Sequence, residues 1–382
     1  MGIIPSASDF LYTEAGFRFT IEAGRAINAC LATFTVYWVY KTGRDFYGGK
    51  AGLAAALIMA CNPLVILYAH IFKPEMALLL FMIVSLYHLL KYLYPDPTVN
   101  PRRSLLFASL FFGLALACKY NAFPMLAVFL LVLVLPRPMT AATAGNNGNN
   151  NGNNTGNNHL NTNAKNGLPG SPNPPKPSRF GRFLEKKWAA VPAGVLAGFL
   201  AGAPNWLVNP IANIKLLLVQ YSPSTGMLFR QFQERAIHDI YGAIFLDFLQ
   251  CFGAVMLGLF LIALFTGFFT RSRRDLLLSV YVVSYILVFS VFGYYASRFA
   301  LPVFPAAALL IGKLLFHDLE ILSHRKSRWN LRKLWKYGIY AVWALLAVYG
   351  LVFTFGNIKT FNLLKTQSQR DRIANYRGEH NL

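Results

Sequence analysis

The chain has 382 residues, of which 55% are hydrophobic and only 13% charged, so it is too apolar for an ordinary soluble domain. Its formal net charge of +21 would suit a nucleic-acid-binding protein. However, Lys and Arg cluster in short connections between apolar runs, as the positive-inside orientation of membrane loops produces. We therefore predict an integral, multi-pass protein of the endoplasmic reticulum or the bacterial inner membrane, with no nucleic-acid partner.

Apolar runs of membrane-spanning length recur along most of the sequence. They predict an all-α polytopic fold with about ten transmembrane helices. The predicted spans cover residues 23–40, 51–69, 75–93, 104–118, 122–136, 188–206, 246–269, 276–294, 299–315 and 337–355.

Composition divides the chain into four regions. Residues 1–140 hold N-terminal transmembrane helices with polar turns on the outer face, and residues 181–358 hold the C-terminal helices. Between them, residues 141–180 are rich first in Asn and Gly and then in Pro, a composition that cannot bury enough apolar surface to fold. We predict a disordered cytoplasmic insert there, and a polar outer-face tail over residues 359–382.

The connections alternate between basic and less basic, which assigns them to the two sides of the membrane. Three short polar turns fall on the outer, lumenal or periplasmic side. They are His70–Glu75, Lys119-Tyr120 and Tyr294–Arg298. Because charge at membrane depth is costly, such turns favour a polar site that they share.

The residues in these turns suit an amphiphile with a phosphate head and a long apolar tail. Cations at helix ends can give charge-assisted hydrogen bonds to the phosphate, and a carboxylate can deprotonate or orient an acceptor hydroxyl. The candidate catalytic residues are Glu75 and His70. The candidate phosphate-binding residues are Lys73, Lys119, Tyr120, Tyr295 and Arg298.

Each candidate also has an ordinary structural interpretation, and both stay open at this point. Lys119 can be an anchor whose stem covers apolar surface, and Tyr120 can belong to an aromatic belt. Lys73 and Glu75 can pair with each other, while His70 can be a satisfied hydrogen-bonding residue. Arg298, in so short a turn, favours a functional role most strongly.

Several segments, in this order along the chain, resemble a known superfamily of membrane glycosyltransferases. The segments are Tyr40–Gly49, Asn62-Pro63, Lys73-Pro74-Glu75, Gly113–Tyr120 and Arg298–Ala306, the last with an R-F-A-L-P-V-F-P sequence. Together they are similar to the GT-C class, which includes the protein O-mannosyltransferases and the aminoarabinose transferases.

This resemblance implies a GT-C-like fold and transfer of a sugar from a polyprenyl-phosphate carrier to a lipid or protein acceptor on the outer face. It would place Glu75 at the second acidic site of the family, with Lys119 and Arg298 near the lipid phosphate. No organic cofactor is expected, and both metal-independent and metal-assisted transfer stay open.

The sequence departs from the family in one respect, since it contains no Asp-Glu pair like the one in the family's first outer loop. We therefore expect that loop and its preceding span to be missing, which leaves open a truncated or inactive product. The alternative function is a non-enzymatic membrane transporter or scaffold for lipid-linked sugars.

Overall fold

The structure is a computed structural model, and it describes residues 14–94, 100–135, 187–221, 237–269, 272–291 and 297–318. Within these ranges the secondary structure is helical, without a β-strand. The α-helices are Glu14–Tyr47 (α1), Gly49–Ala60 (α2), Pro63–Ala69 (α3), Glu75–Leu93 (α4), Pro101–Cys118 (α5), Leu126–Val134 (α6), Lys187–Gly202 (α7), Asn205–Val208 (α8), Pro210–Tyr221 (α9), Ile237–Phe269 (α10), Arg273–Val291 (α11) and Val303–Lys313 (α12). Short 3₁₀ helices at Tyr120–Met125 and Ser297–Phe299 precede α6 and α12, and a π turn at Leu314–Asp318 follows α12.

The prediction of an all-α, multi-pass membrane protein is confirmed. In the described part of the chain, α4, α5 and residues Tyr241–Phe269 of α10 are long and apolar enough to cross a membrane. The bent pair α2 and α3 would add a fourth span if the two helices cross together. The predicted span 337–355, the insert 141–180 and the tail 359–382 lie outside the described residues.

The predicted span 51–69 is divided into two helices. The chain breaks at Asn62, and α2 and α3 are bent by 61° from each other. The side-chain oxygen of Asn62 accepts hydrogen bonds from the backbone N–H groups of Leu64 and Val65, and Pro63 occupies the first position of α3. Asn-Pro therefore starts a new helix here, because the asparagine caps it and proline is tolerated in its first turn.

Helices α5 and α7 approach each other closely through glycine. On α7, glycines recur every fourth residue at Gly194, Gly198 and Gly202, the small-residue spacing that allows membrane helices to pack backbone against backbone. A Cβ atom at Gly198 would lie only 2.0 Å from the carbonyl oxygen of Leu110 on α5. Any larger side chain at this position must push the two helices apart.

The buried core is centred on α12. Every residue of this helix is buried, and it packs against α2, α10 and α11. Rings from α10 meet it directly: the centroids of Phe248 and Phe252 lie 5.3 and 5.2 Å from that of Phe304. Helix α12 starts just after Arg298 and ends at Lys313, so it connects the outer polar turn with the opposite end of the bundle.

That opposite end holds a buried ionic cluster. The Tyr47 hydroxyl donates to Oδ1 of Asp275 at 3.0 Å, and the Lys313 ammonium lies 2.6 Å from Oδ2 of the same carboxylate. Lys313 also pairs with Asp318 at 2.8 Å, and the Arg274 guanidinium lies over the Tyr47 ring. Burial, and then the Asp275 charge, raises the pKa of the Tyr47 hydroxyl, so it donates as a neutral phenol.

Candidate functional site

The turn between α3 and α4 is held against α1 by one buried amide. The Asn28 side chain is only 4% exposed, and its nitrogen donates to the carbonyl oxygens of Ile71 and Lys73, the second at 2.8 Å. One helical turn earlier, Gly24 lies under the Phe72 ring, where a Cβ atom would come within 2.2 Å of the ring. Residues of α1 therefore fix the backbone that leads into Glu75.

Glu75 is the first residue of α4, where a negative charge is favoured by the helix dipole. Its side chain is 3% exposed, and Oε1 accepts a hydrogen bond from the Lys119 ammonium at 2.8 Å. The other oxygen, Oε2, is buried and has no hydrogen-bond partner among the described residues. A buried carboxylate is thus neutralised on one side and left with an unused acceptor on the other.

Arg298 reaches the same neighbourhood from the turn before α12. Its guanidinium carbon lies 5.5 Å from the centroid of the Phe299 ring, and the Lys119 ammonium lies 5.7 Å from that centroid. The ring is itself fixed, because Phe289 stacks on it at 4.8 Å. Two cations from different parts of the chain therefore share one aromatic ring.

The Arg298 guanidinium is not neutralised by a described carboxylate. In the described ranges it makes no ion pair, and its Nε is a buried donor without a hydrogen-bond partner. Tyr68, at the end of α3, lies within electrostatic reach of Arg298, Glu75 and Asp247. The site thus combines one available cation with one acceptor oxygen on a neutralised carboxylate.

The structure brings together three of the predicted site residues, namely Glu75, Lys119 and Arg298. The contact between Lys119 and Glu75 also shows that two of the outer turns meet on one side of the bundle. Lys119 is therefore more than a surface anchor, since its ammonium binds a buried carboxylate. The catalytic and phosphate-binding roles of these residues stay predictions.

Of the other candidates, two are exposed in the turn before α4, one follows Lys119 and one lies outside the described residues. His70 and Lys73 are exposed, and the His70 ring hydrogen-bonds through Nδ1 to the Ile66 carbonyl of the preceding helix α3. The expected pairing of Lys73 with Glu75 is not observed, since Glu75 pairs with Lys119 instead. Tyr120 is 41% exposed, and Tyr295 falls in a segment that the structure does not describe.

Sequence analysis missed two residues that shape the site. Asn28 carried a signal, because an amide within an apolar run needs partners. Phe299 lies inside the R-F-A-L-P segment, but nothing in the sequence predicts that both cations share its ring. Among the residues that the structure describes, no group of three or more His, Cys, Asp or Glu side chains is arranged to hold a metal ion.

Comparisons with known proteins bear on the fold. Residues 15–144, about a third of the chain, match the family model of the dolichyl-phosphate-mannose-protein mannosyltransferases. The crystal structure of ArnT from Cupriavidus metallidurans bound to undecaprenyl phosphate matches with a TM-score of 0.51 and 14% identity, over 81% of this chain and 48% of ArnT. The chain has the GT-C fold. The resemblance predicted from the sequence is thereby confirmed.

The chain spans about half the length of the ArnT structures that it matches. The apo crystal structure of the same ArnT matches with a TM-score of 0.45 and 16% identity, over 76% of this chain and 45% of that one. No curated protein matches the sequence.

Proposed function

We propose that this protein takes part in glycosyl transfer from a polyprenyl-phosphate-linked sugar to an acceptor on the lumenal or periplasmic face. The observation that carries the proposal is the buried Glu75 carboxylate, which is neutralised by Lys119 through Oε1 and whose Oε2 has no partner among the described residues. The fold supports it, since the matching ArnT was crystallised with undecaprenyl phosphate.

In this mechanism Arg298 is the main ligand of the donor phosphate. It is the site cation without a described carboxylate partner, and its planar guanidinium can give two parallel hydrogen bonds to phosphate oxygens. Lys119 bridges between Glu75 and the phosphate, because its ammonium has three donors and the carboxylate takes one of them. The shared Phe299 ring holds both cations at a fixed spacing.

Glu75 acts on the acceptor. A hydroxyl that donates to Oε2 would be oriented toward the sugar, and the carboxylate would take up or polarise its proton as the new glycosidic bond forms. The bond between the sugar and the phosphate breaks in the same step, and the polyprenyl phosphate that leaves keeps its charge against Arg298. Lys119 stays hydrogen-bonded to Oε1, which leaves Oε2 for the acceptor.

Binding and transfer are tested separately on the purified protein. Polyprenyl-phosphate affinity should fall for Arg298→Ala by about 1.5–3 kcal/mol, roughly 10- to 150-fold, the cost of a lost charged hydrogen bond. Arg298→Lys should recover part of it. Arg103→Ala, an exposed arginine at the start of α5, is the matched control and should bind like the wild type.

The Glu75→Gln variant separates the enzyme from its alternative. It removes a negative charge beside the phosphate site, so affinity for the polyprenyl phosphate should be kept or increased while transfer is lost. Unchanged affinity in Arg298→Ala would contradict the phosphate-binding role. Binding by the wild type without transfer from any of a panel of polyprenyl-phosphate sugars would favour the scaffold or transporter function instead.

A further inference from the structure

A second cationic site lies at the opposite end of α4 from Glu75. Glu75 begins this helix and Lys91 lies in its last turn, so the two are about 24 Å apart at 1.5 Å per residue. That distance approaches the thickness of the hydrocarbon core, which is about 30 Å. Residues around Lys91 therefore lie near the other membrane boundary, facing the leaflet on the side assigned to the cytoplasm.

Two lysines flank one aromatic ring there. The Lys41 ammonium of α1 lies 5.5 Å from the Tyr87 ring centroid, and the Lys91 ammonium lies 5.4 Å from it. Lys41 also lies 5.9 Å from the Trp38 ring, which packs edge-on against Tyr87 at 5.1 Å. We call these four residues the Tyr87 site.

The positive charge of the Tyr87 site is poorly neutralised. Asp45, a described carboxylate beside the site, accepts from Arg44 Nε at 3.1 Å through Oδ1 and from the Tyr87 hydroxyl at 2.9 Å through Oδ2. Lys41 is 3.9 Å from Oδ2, at the limit of an ion pair, and Lys91 has no carboxylate partner among the described residues. Two ammonium groups thus lie within 6 Å of one ring centroid, and among the described residues only one carboxylate, already shared with Arg44 and Tyr87, lies within ion-pair distance of either.

Apolar surface borders this charge on the outside of the bundle. Tyr37 and Phe107 are 52% and 47% exposed, and the Phe107 ring packs against His88, the residue after Tyr87. Aromatic side chains at membrane boundaries contact the region where lipid headgroups meet acyl chains. An occupant with a negative headgroup and acyl chains matches both surfaces, whereas a free phosphate would match only the lysines.

We propose that the Tyr87 site binds the headgroup of an anionic phospholipid in the leaflet opposite to the polyprenyl-phosphate site. The headgroup phosphate would lie between the Lys41 and Lys91 ammonium groups, above the edge of the Tyr87 ring, with its acyl chains along Tyr37 and Phe107. This goes beyond the proposed transfer reaction, and its test needs no transfer activity.

The test is native mass spectrometry of the full chain in detergent, titrated with phosphatidylglycerol or with phosphatidylcholine of the same acyl chains. We expect the wild type to bind one phosphatidylglycerol more tightly than phosphatidylcholine. Each of Lys41→Gln and Lys91→Gln should weaken this binding about fivefold, and the double variant roughly 25-fold. The double variant to arginine, which keeps both charges, should retain the preference.

The matched control removes two other charges from the same end of the bundle. Lys50 in the first turn of α2 and Arg103 in the first turn of α5 are both exposed, so K50Q/R103Q has the same net charge as K41Q/K91Q. It should bind phosphatidylglycerol within about twofold of the wild type, since local geometry and not total charge holds the lipid. Equal losses in the two double variants, an unchanged K41Q/K91Q, or equal binding of both lipids by the wild type would each overturn the proposal.

Discussion

Two buried carboxylates, one at each end of the bundle, differ in how fully they are satisfied. Both oxygens of Asp275 are used, by the Tyr47 hydroxyl and the Lys313 ammonium. Glu75 is equally buried but uses only Oε1, while Oε2 has no described partner. Since an unsatisfied buried acceptor costs free energy, the open oxygen of Glu75 indicates a place for a ligand, and the closed Asp275 indicates a role in holding helices together.

The largest effect on transfer should come from Glu75, the carboxylate with one oxygen unpartnered among the described residues. Glu75→Gln keeps the shape of the side chain but removes its charge and its basicity, so transfer should fall by about 100- to 10,000-fold, as for loss of a general base. Unfolding in detergent should change less than for Asp275→Asn, because the Lys119 side chain is 25% exposed and can be solvated, whereas that of Lys313 is 6% exposed. A transfer assay together with a thermal unfolding curve checks both expectations, and a variant that unfolds early would assign Glu75 a structural role like that of Asp275.

Substitution of Asp275, whose two oxygens are both bonded, should instead lower stability and leave ligand binding unchanged. Asp275→Asn leaves Lys313 buried with only Asp318 as its partner, so the free energy of unfolding should fall by about 3–5 kcal/mol. Polyprenyl-phosphate affinity, measured where the variant is still folded, should stay at the wild-type level. A loss of affinity without loss of stability would break the distinction between the two ends.

A smaller effect is expected from the amide that positions Glu75. Asn28→Ala leaves the carbonyl groups of Ile71 and Lys73 without their donor, so the backbone that leads into Glu75 is less well fixed. The transfer rate should fall about tenfold for each 1.4 kcal/mol that this adds to the activation free energy. Thr35→Ala is the control, because its hydroxyl is buried on the same helix but donates only to the Leu31 carbonyl of that helix.

Asn28→Asp gives a readout that a purely structural residue would not show. Its ionised carboxylate would face two carbonyl oxygens and repel them, whereas the protonated form could donate to one. Transfer by this variant should therefore recover relative to the wild type as the pH is lowered toward the carboxyl pKa. A pH profile parallel to that of the wild type would argue against positioning by Asn28.

The smallest effect is expected at His70. Its ring is exposed and bonds to the Ile66 carbonyl of the preceding helix α3, so His70→Ala should change the free energy of unfolding by no more than about 0.5 kcal/mol. Transfer should stay near the wild-type rate. A loss approaching that of Glu75→Gln would restore His70 as a catalytic candidate and enlarge the site toward the exposed turn.

The alternation of basic and less basic connections was enough to predict which turns lie on the same side of the membrane. Placing the turns that contain Glu75, Lys119 and Arg298 on one side required only the order of apolar and basic segments. The bend at Asn62 also had a local signal in the Asn-Pro pair, but the prediction treated residues 51–69 as one span. By contrast, the hydrogen bond from Asn28 to Lys73 joins residues 45 positions apart, and the one from Tyr47 to Asp275 joins residues 228 positions apart. Hydropathy carries no information on such pairings.

The glycine contact between α5 and α7 extends as far as the polar site. Its last member, Gly202, faces Ala117, and Lys119 follows two residues later; a methyl group at Gly202 would lie 2.6 Å from the Ala117 Cβ. Bulk added anywhere along this seam would therefore displace the end of α5 and carry the lysine away from its carboxylate. Substitutions far from any reacting atom would in this way break the pairing of Lys119 with Glu75 while leaving every polar side chain unchanged.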